Sequence, residues 1–267
     1  MRTILHNPLR FLACSAFCFG VLLASLPADT LCAPKSGAEA VGNPRSLALN
    51  EQGLAALKDN KPQEAEELLS QAVKVDPGNL TALYNLAGVL VFNKKKEEAI
   101  VLLEKHRVQS LNDAGLLVRY GDLLFSTGKT KEAVTQYEKA YALNKSYAGL
   151  TAKLGLTYAL QNRLDESEQM YLAAAKAEPR NGDILGNLSS ILLSLGKTEQ
   201  AISTAKEAVQ FAPKKETLVT LGSAYEAKKE FAAALDSFTR ARDLGAKTAE
   251  VDEKIAALTK LAKPVQR

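Results

Sequence analysis

There is no tryptophan in this 267-residue chain, and there are only two histidines, two methionines and three cysteines. The cysteines, Cys14, Cys18 and Cys32, all fall near the N-terminus. A disulfide scaffold or a cysteine-ligated zinc needs thiols spread through the fold, so neither holds the rest of the chain together. The histidines, His6 and His106, lie far apart. No Gly-rich phosphate loop, nucleophile elbow or zinc spacing accompanies them, so the convergent groups that catalysis needs are missing. No enzyme activity, metal or cofactor is expected. His106 reads as a partly buried structural histidine. Charge of one sign is also scarce. Arg2 and Arg10 account for two of the 34 basic residues, which leaves 32 against 30 acidic ones in the remainder. The lysines are scattered rather than striped, which argues against nucleic acid as a partner.

The N-terminus differs from everything after it. Two arginines precede Phe11–Leu26, a stretch with no charge, and Leu26-Pro27-Ala28 follows. A basic start, a short apolar run and a small residue at its end read as a secretory signal over residues 1–28. The run is shorter than the roughly 20 residues of a membrane-spanning helix. Cleavage after Ala28 is one outcome and retention as an anchor is the other; membrane association is expected only in the second. Cys32 follows no lipidation pattern. The expected location is the periplasm or cell envelope of a bacterium, with secretion next. Residues 29–45 are rich in Gly, Ala and Pro without periodicity, and read as a flexible tether.

What the chain does have is a period. Small residues fall at Gly53, Ala87, Gly121, Gly155, Ser189 and Gly222, with steps of 34, 34, 34, 34 and 33. Glycine inside a helix costs about 1 kcal/mol against alanine, so its return at one phase needs a packing reason. A second small series runs Ala65, Ala99, Ala133, Ser167, Ala201 and Ala234, placed for close approach of paired helices. A third, late in the second helix, is Ala72, Ala140, Ala174, Ala208 and Ala241. Between the first two lie Asn60, Lys94, Gly128, Asn162, Gly196 and Lys229. Four of these are Gly or Asn, which tolerate the left-handed conformation that ends a helix. Thr130 and Thr198 stand where a cap for the following helix is wanted. Pro77, Pro179 and Pro213 close three copies. A period near 34 with two helical patterns per copy marks a stacked repeat array.

These positions resemble the tetratricopeptide repeat family. A large residue, Leu-Gly and Tyr mark its first helix; Ala, an aromatic and Ala mark its second; a proline closes it. Six copies follow: 46–79, 80–113, 114–147, 148–181, 182–214 and 215–248. Leu111, Lys145 and Ala246 replace the closing proline, and His106 replaces the late alanine of copy two, so a looser junction is expected near residues 106–113. The implied fold is all-α, a right-handed superhelical solenoid of antiparallel helix pairs. Helices this short are marginal alone and must bury an apolar stripe against their neighbours. Residues 249–263 carry Val251, Ile255, Leu258 and Leu261 on one face and read as a C-terminal capping helix.

The resemblance implies a function of binding rather than chemistry. In this family the first helices line a concave groove that holds a peptide or protein segment. By that resemblance Tyr84, Asn85, Phe92, Arg119, Asp122, Phe125, Lys153 and Asn187 are the candidate groove residues. Asn85, Arg119, Lys153 and Asn187 share one phase and form a row of hydrogen-bond donors. That row is similar to the carboxylate clamps of some family members, although asparagine is also the family's commonest choice there. Leu57, Val91, Phe125, Ala159 and Leu193, with Tyr84, Phe92, Val118, Leu156 and Leu160 from neighbouring phases, form either an exposed apolar strip or core. Asp165, Glu166 and Glu168 open a helix, where acidic residues suit the dipole, and Lys94 to Glu98 is a solvated turn. Three Asn-X-Ser/Thr triplets, at Asn79, Asn144 and Asn187, read as coincidence. The expected partner is a protein or peptide, with no small-molecule substrate. The alternative is a structural subunit of an envelope assembly, such as secretion, pilus or polysaccharide-export machinery, that uses convex or terminal surfaces.

Overall fold

Residues 42–261 are described by a computed structural model. The signal-type segment, all three cysteines and nearly all of the tether lie outside the described residues. These are all helix and turn, in two compact units divided along the chain after Leu150.

The first unit holds α1 (Pro44–Lys58), α2 (Pro62–Val75), α3 (Leu80–Phe92), α4 (Lys96–Lys105), α5 (Arg107–Ser110), α6 (Ala114–Ser126) and α7 (Thr130–Leu143). The second holds α8 (Leu150–Leu160), whose first residue still belongs to the first unit, then α9 (Leu164–Ala177), α10 (Gly182–Ser194), α11 (Thr198–Phe211), α12 (Lys215–Ala227), α13 (Phe231–Asp243) and α14 (Ala249–Leu261). Helix α1 starts at Pro44, inside the expected tether, because Asn43 caps it by accepting from Arg45 N–H. The first helices of the copies are called A helices below, and the second B helices.

Entry into the A helices is set by side chains. Asn79 Oδ1 accepts from Ala82 N–H at 3.0 Å, Asp113 Oδ1 from Leu116 N–H at 2.7 Å, and Asn181 Oδ1 from Asp183 and Ile184. Each satisfies backbone donors that a helix start leaves open. The passage from A to B is set by backbone. All six expected turn residues have positive φ: Asn60 58°, Lys94 63°, Gly128 81°, Asn162 60°, Gly196 75° and Lys229 62°. At the first turn Asn60 N–H donates to Leu57 O and Lys61 N–H to Ala56 O, and the same two bonds close the other five. This left-handed cap satisfies the last carbonyls of helix A. The residue after it then serves as N-cap of helix B without a side-chain bond. Thr130 and Thr198 therefore do not cap; each is the first residue inside its helix. The turn spends one residue fewer than capping by threonine requires.

Packing within each copy explains the small series. All six members of the second series, Ala65 through Ala234, are fully buried. At Gly155 the close approach is sealed by Ser167 Oγ, which donates to the Gly155 carbonyl at 2.7 Å. Over the same glycine lies the ring of Tyr171, sixteen residues on. A Cβ at position 155 would sit 2.8 Å from Tyr171 Cδ2. Gly121 stands likewise under Tyr137. Size is exchanged across this contact: glycine meets Leu69, Tyr137, Tyr171 or Phe238, Ala87 pairs in phase with Leu103, and Ser189 with Ala205. Every one of these residues is buried.

Neighbouring copies are held by apolar contact and by cross-links. In the first unit Leu69, Leu83, Leu86, Leu90, Leu103 and Leu116 belong to one core. Each fully buried leucine contributes about 1.5–3 kcal/mol. Ser46 Oγ donates to Ala72 O and accepts from Asn79 Nδ2, and Lys95 meets Glu66 at 2.7 Å. Burial alone would raise the Glu66 pKa, but bonds from Lys95 and Asn93 hold it below the usual carboxylate value. In the second unit Lys197 meets Glu168 at 2.6 Å, and Lys254 of α14 meets Glu226 at 2.5 Å. Helix α14 caps the last copy with Val251 and Leu258, which are buried. Leu261, expected on the same face, is 58% exposed.

The junction expected to be loose is irregular. Helix α4 stops at Lys105, His106 adopts a non-helical ψ of 20°, and α5 is a single turn. Alanine at this phase lets a B helix continue against the next copy. His106 instead turns inward, is 7% exposed, and leaves its Nδ1 without a hydrogen-bond partner. Val101, Val108 and Leu111 are exposed around the break.

Candidate functional site

The best-built polar cluster lies in the first unit, on its A helices. Tyr84 comes from α3, Arg119 and Asp122 from α6, Tyr137 from α7, and Tyr147 from the turn after α7. Arg119 Cζ stands 3.7 Å from the centroid of the Tyr84 ring. A guanidinium over an aromatic face is attracted by the ring quadrupole, by about 0.5–1 kcal/mol at exposed sites and more when desolvated. Arg119 Nε is buried without a hydrogen-bond partner. No ion pair to Arg119 is present among the described residues. The charge is thus positioned by stacking rather than neutralised.

Tyrosine hydroxyls surround it. The Tyr147 hydroxyl lies close to Tyr84. Burial, and then Tyr84, push the Tyr147 hydroxyl up to about 12, with Arg119 acting the other way. Both tyrosines lie against Gly115, where a Cβ would be 3.5 Å from Tyr147 Oη and 3.6 Å from Tyr84 Cε2. Tyr137 Oη donates to Asp122 Oδ1 at 2.7 Å, and burial and this carboxylate raise its pKa. The arrangement offers a partly exposed cation, a flat aromatic wall and a carboxylate already engaged. Such a set recognises an acceptor group on a chain and has no nucleophile or base poised for chemistry.

Asn85 is placed differently from the groove position expected of it. It is 1% exposed, its Nδ2 donates to Asn50 Oδ1 at 2.9 Å, and its own Oδ1 is buried without a partner. It joins α1 to α3 and presents nothing to a ligand, because position 85 points between the two A helices. Phe92, at the end of α3, is 57% exposed, and Phe125 is half-buried. Of the expected apolar strip in this unit, Val118 is core, while Leu57 and Val91 are half-buried.

The second unit carries the other two members of the donor row. Lys153 on α8 and Asn187 on α10 are both partly exposed. Asn187 brings its side chain beside the Tyr171 hydroxyl. No hydrogen bond closes within donor–acceptor geometry, and that hydroxyl stays buried without a partner. Leu156 and Ala159 are core, Leu193 is half-buried, and Leu160 is exposed. On the B-helix side of this unit, a shallow cavity of about 360 Å³ lies between α11, α12 and α13, lined by Lys206, Tyr225, Asp236 and Arg240 among others. No expected site residue lines it.

Tyr137 and Tyr147 were missed in the sequence. Tyr137 was legible only as the aromatic of its B helix, and nothing in the repeat phase said that its hydroxyl would emerge beside Asp122. Among the described residues there is no group of three His, Cys, Asp or Glu placed to hold a metal ion, and no helix long and apolar enough to cross a membrane.

Tetratricopeptide repeat profiles match residues 56–117 and 152–216, and a further TPR repeat profile matches 121–162. The chain belongs to the tetratricopeptide repeat family, whose repeats serve as protein–protein interaction scaffolds and are generally not enzymes. Among characterised relatives, tetratricopeptide repeat protein 1 of Schizosaccharomyces pombe is 26% identical over 141 residues, 49% of this chain and 14% of its own length. BBSome complex member BBS4 of Xenopus tropicalis is 28% identical over 139 residues, 52% of this chain and 27% of its own. The chain thus spans well under half the length of either. Among solved structures, YrrB, described as a TPR protein with an unusual peptide-binding site, superposes with a TM-score of 0.64 at 16% identity, covering 72% of this chain and 97% of its own. PilF of Pseudomonas aeruginosa gives 0.64 at 17%, covering 80% and 97%. At these identities the structures share the fold with this chain.

Proposed function

We propose that this chain is an exported interaction scaffold, without catalytic activity, that holds an extended or helical segment of another protein on the A-helix face of its first unit. The observation that carries the reading is Arg119. It is stacked on Tyr84, bordered by Tyr147 and Asp122, and makes no ion pair among the described residues. An arginine fixed on an aromatic platform loses little freedom when it takes up a ligand's carboxylate or carbonyl. Phe92, exposed on the neighbouring A helix, supplies apolar contact. In the second unit Lys153 and Asn187 are partly exposed donors of their own. YrrB, a protein of this fold described as having an unusual peptide-binding site, supports the reading. Export rests on the basic and apolar pattern of residues 1–28, and places the partner in the periplasm or envelope.

The test is affinity capture from envelope extract with the intact chain as bait, beside baits carrying Arg119→Glu or Lys153→Glu. Circular dichroism confirms that each variant folds. The expected result is a partner identified by mass spectrometry that is lost with Arg119→Glu. A partner held equally by all three baits overturns the A-helix site. Recovery of the chain only in the cytoplasmic fraction overturns export.

One observation favours the second reading, a structural part of an envelope assembly. Val101 and Val108 are 64% and 74% exposed beside Leu111, away from the A helices. Clustered apolar exposure marks a contact surface. Loss of the captured partner with Val108→Asp, and not with Arg119→Glu, selects it.

A further inference from the structure

The cavity between α11, α12 and α13 has a cause in the sequence. Ala233, Ser237 and Arg240 of α13 lie at i, i+4 and i+7 and form one wall. Lys206 of α11 stands on the other, and Leu221 and Tyr225 of α12 make the floor. At the phase of Ala233 the earlier copies carry Glu64, Glu98, Glu132, Glu166 and Gln200. At the phase of Ser237 they carry Leu68, Leu102, Gln136, Met170 and Thr204. Each of those copies thus puts at least one long side chain on this wall. The sixth puts none. Ala233 ends in a methyl group, and Ser237 turns its Oγ back to donate to Ala233 O at 2.8 Å. The wall is cut short, and a cavity of about 360 Å³ is the space left. Its rim is basic. Lys206 is exposed and makes no ion pair among the described residues. Arg240 meets Asp236 at 3.5 Å in an exposed i,i+4 pair, a kind that contributes little. Position 206 matches 239 one copy on, so the two cations flank the same end of the cavity.

Pockets that enclose a small molecule measure about 300–1,000 Å³ and cover most of its surface. This one is at the low end and shallow, so it takes one side chain while the rest of the ligand lies outside. From Ala233 to Arg240 the wall runs about 10 Å at the rise of a helix, which about three extended residues span. We propose that the cavity seats one apolar side chain of an acidic protein segment, and that Lys206 and Arg240 take a carboxylate one or two residues along. This contact surface lies on the B-helix side of the second unit. It stands whether or not Arg119 binds a ligand in the first.

The test titrates short peptides into the intact chain and follows the Tyr225 ring signals by NMR, assigned with Tyr225→Phe. The probe is acetyl-Ser-Phe-Asp-Glu-Ser-amide. Beside it stand a counterpart with lysine for both acids and one with alanine for phenylalanine, all at constant ionic strength. At millimolar concentration the probe is expected to move the Tyr225 signals and the two counterparts are not. Ala233→Gln fills the wall with the residue that copy five already carries at this phase, so the fold tolerates it, as circular dichroism verifies. It is expected to abolish the shift. Lys206→Gln is expected to weaken the probe by about two- to fivefold, the range of one exposed ion pair. Arg119→Glu is expected to leave it unchanged, which separates this surface from the one in the first unit. No Tyr225 shift, an equal shift with the lysine counterpart, or a shift that survives Ala233→Gln overturns the proposal. Binding that Lys206→Gln leaves intact overturns the pairing of charge. If sodium decanoate moves the Tyr225 signals and the probe does not, the cavity takes a free amphiphile and the proposal falls as well.

Discussion

Adding one methyl group at Gly155 tests how the copies are packed. The new Cβ of Gly155→Ala would lie 2.8 Å from Tyr171 Cδ2 and 2.9 Å from both Cε2 and Cγ. Carbon atoms settle near 3.5 Å or beyond, so the ring must retreat by about 0.7 Å. Tyr171 is 1% exposed and has no open side to move into. Overpacking of this kind costs about 1–3 kcal/mol. Alanine regains about 1 kcal/mol of helix propensity over glycine. The net expectation is a loss of up to about 2 kcal/mol, where propensity alone would give a gain. Tyr171→Leu alone loses ring contacts but also removes a buried hydroxyl that has no partner, and should cost about 1–2 kcal/mol. The pair Ala over Leu already exists here as Ala87 and Leu103, both buried. The double variant should therefore be no less stable than Tyr171→Leu, with a coupling of about 1 kcal/mol or more. Urea unfolding followed by circular dichroism, checked for a single transition, gives the four free energies. A Gly155→Ala variant stabilised by the full helix-propensity gain of about 1 kcal/mol refutes the contact, and strictly additive losses refute the exchange of size between the two helices.

Three further outcomes follow from described contacts. Lys229 is held at φ 62°, where a side chain costs about 1–2 kcal/mol and glycine nothing. Lys229→Gly should raise the urea midpoint by the equivalent of about 0.5–1 kcal/mol after the entropy of the unfolded glycine is met; a lower midpoint contradicts it. Asn79→Ala removes the cap to Ala82 and the donor to Ser46, and should cost about 1–2 kcal/mol by the same measurement. Burial, and then Lys105, hold the His106 pKa below its ordinary value, so protons bind the unfolded chain more tightly. The contribution of His106 is intact above about pH 6.5 and is lost as pH falls through the folded value; His106→Gln should flatten stability against pH across that window, and an unchanged slope rules this out.

The period made the fold legible because each copy repeats the same local solution. Small residues at fixed phase have a packing reason, and Asn60, Gly128, Asn162 and Gly196 announce a left-handed turn by residue type. Lys94 and Lys229 were legible only by phase, since lysine has no preference for positive φ. The site was legible in part. Arg119 and Tyr84, both named as groove candidates, stack on one another, and Asp122 lies on the same helix as Arg119. Asn85 does not join them although it shares the phase of Arg119, because its short amide stays at the seam between α1 and α3 while the longer Arg119 side chain reaches out over Tyr84. At that seam Asn85 found Asn50. Tyr137 was invisible as a site residue because its ring belongs to the core and only its last atom reaches Asp122. Periodicity identifies which face a residue starts from, not how far a long side chain reaches through a glycine gap.

Six times the chain turns from one helix into the next through the same pair of main-chain bonds, with residues as unlike as Asn60, Lys94 and Gly128 at the bend. A coupling made of backbone places few demands on the letters around it. A segment one period long can then be duplicated or excised and still arrive with its own elbow intact. What a new copy must bring for itself is a matched interior pair and a neighbour to lean on. Ancestral lengthening of such a chain is therefore an event of copying rather than invention, and an engineer who wishes to lengthen or shorten it should cut at the loops between copies and leave the elbows whole.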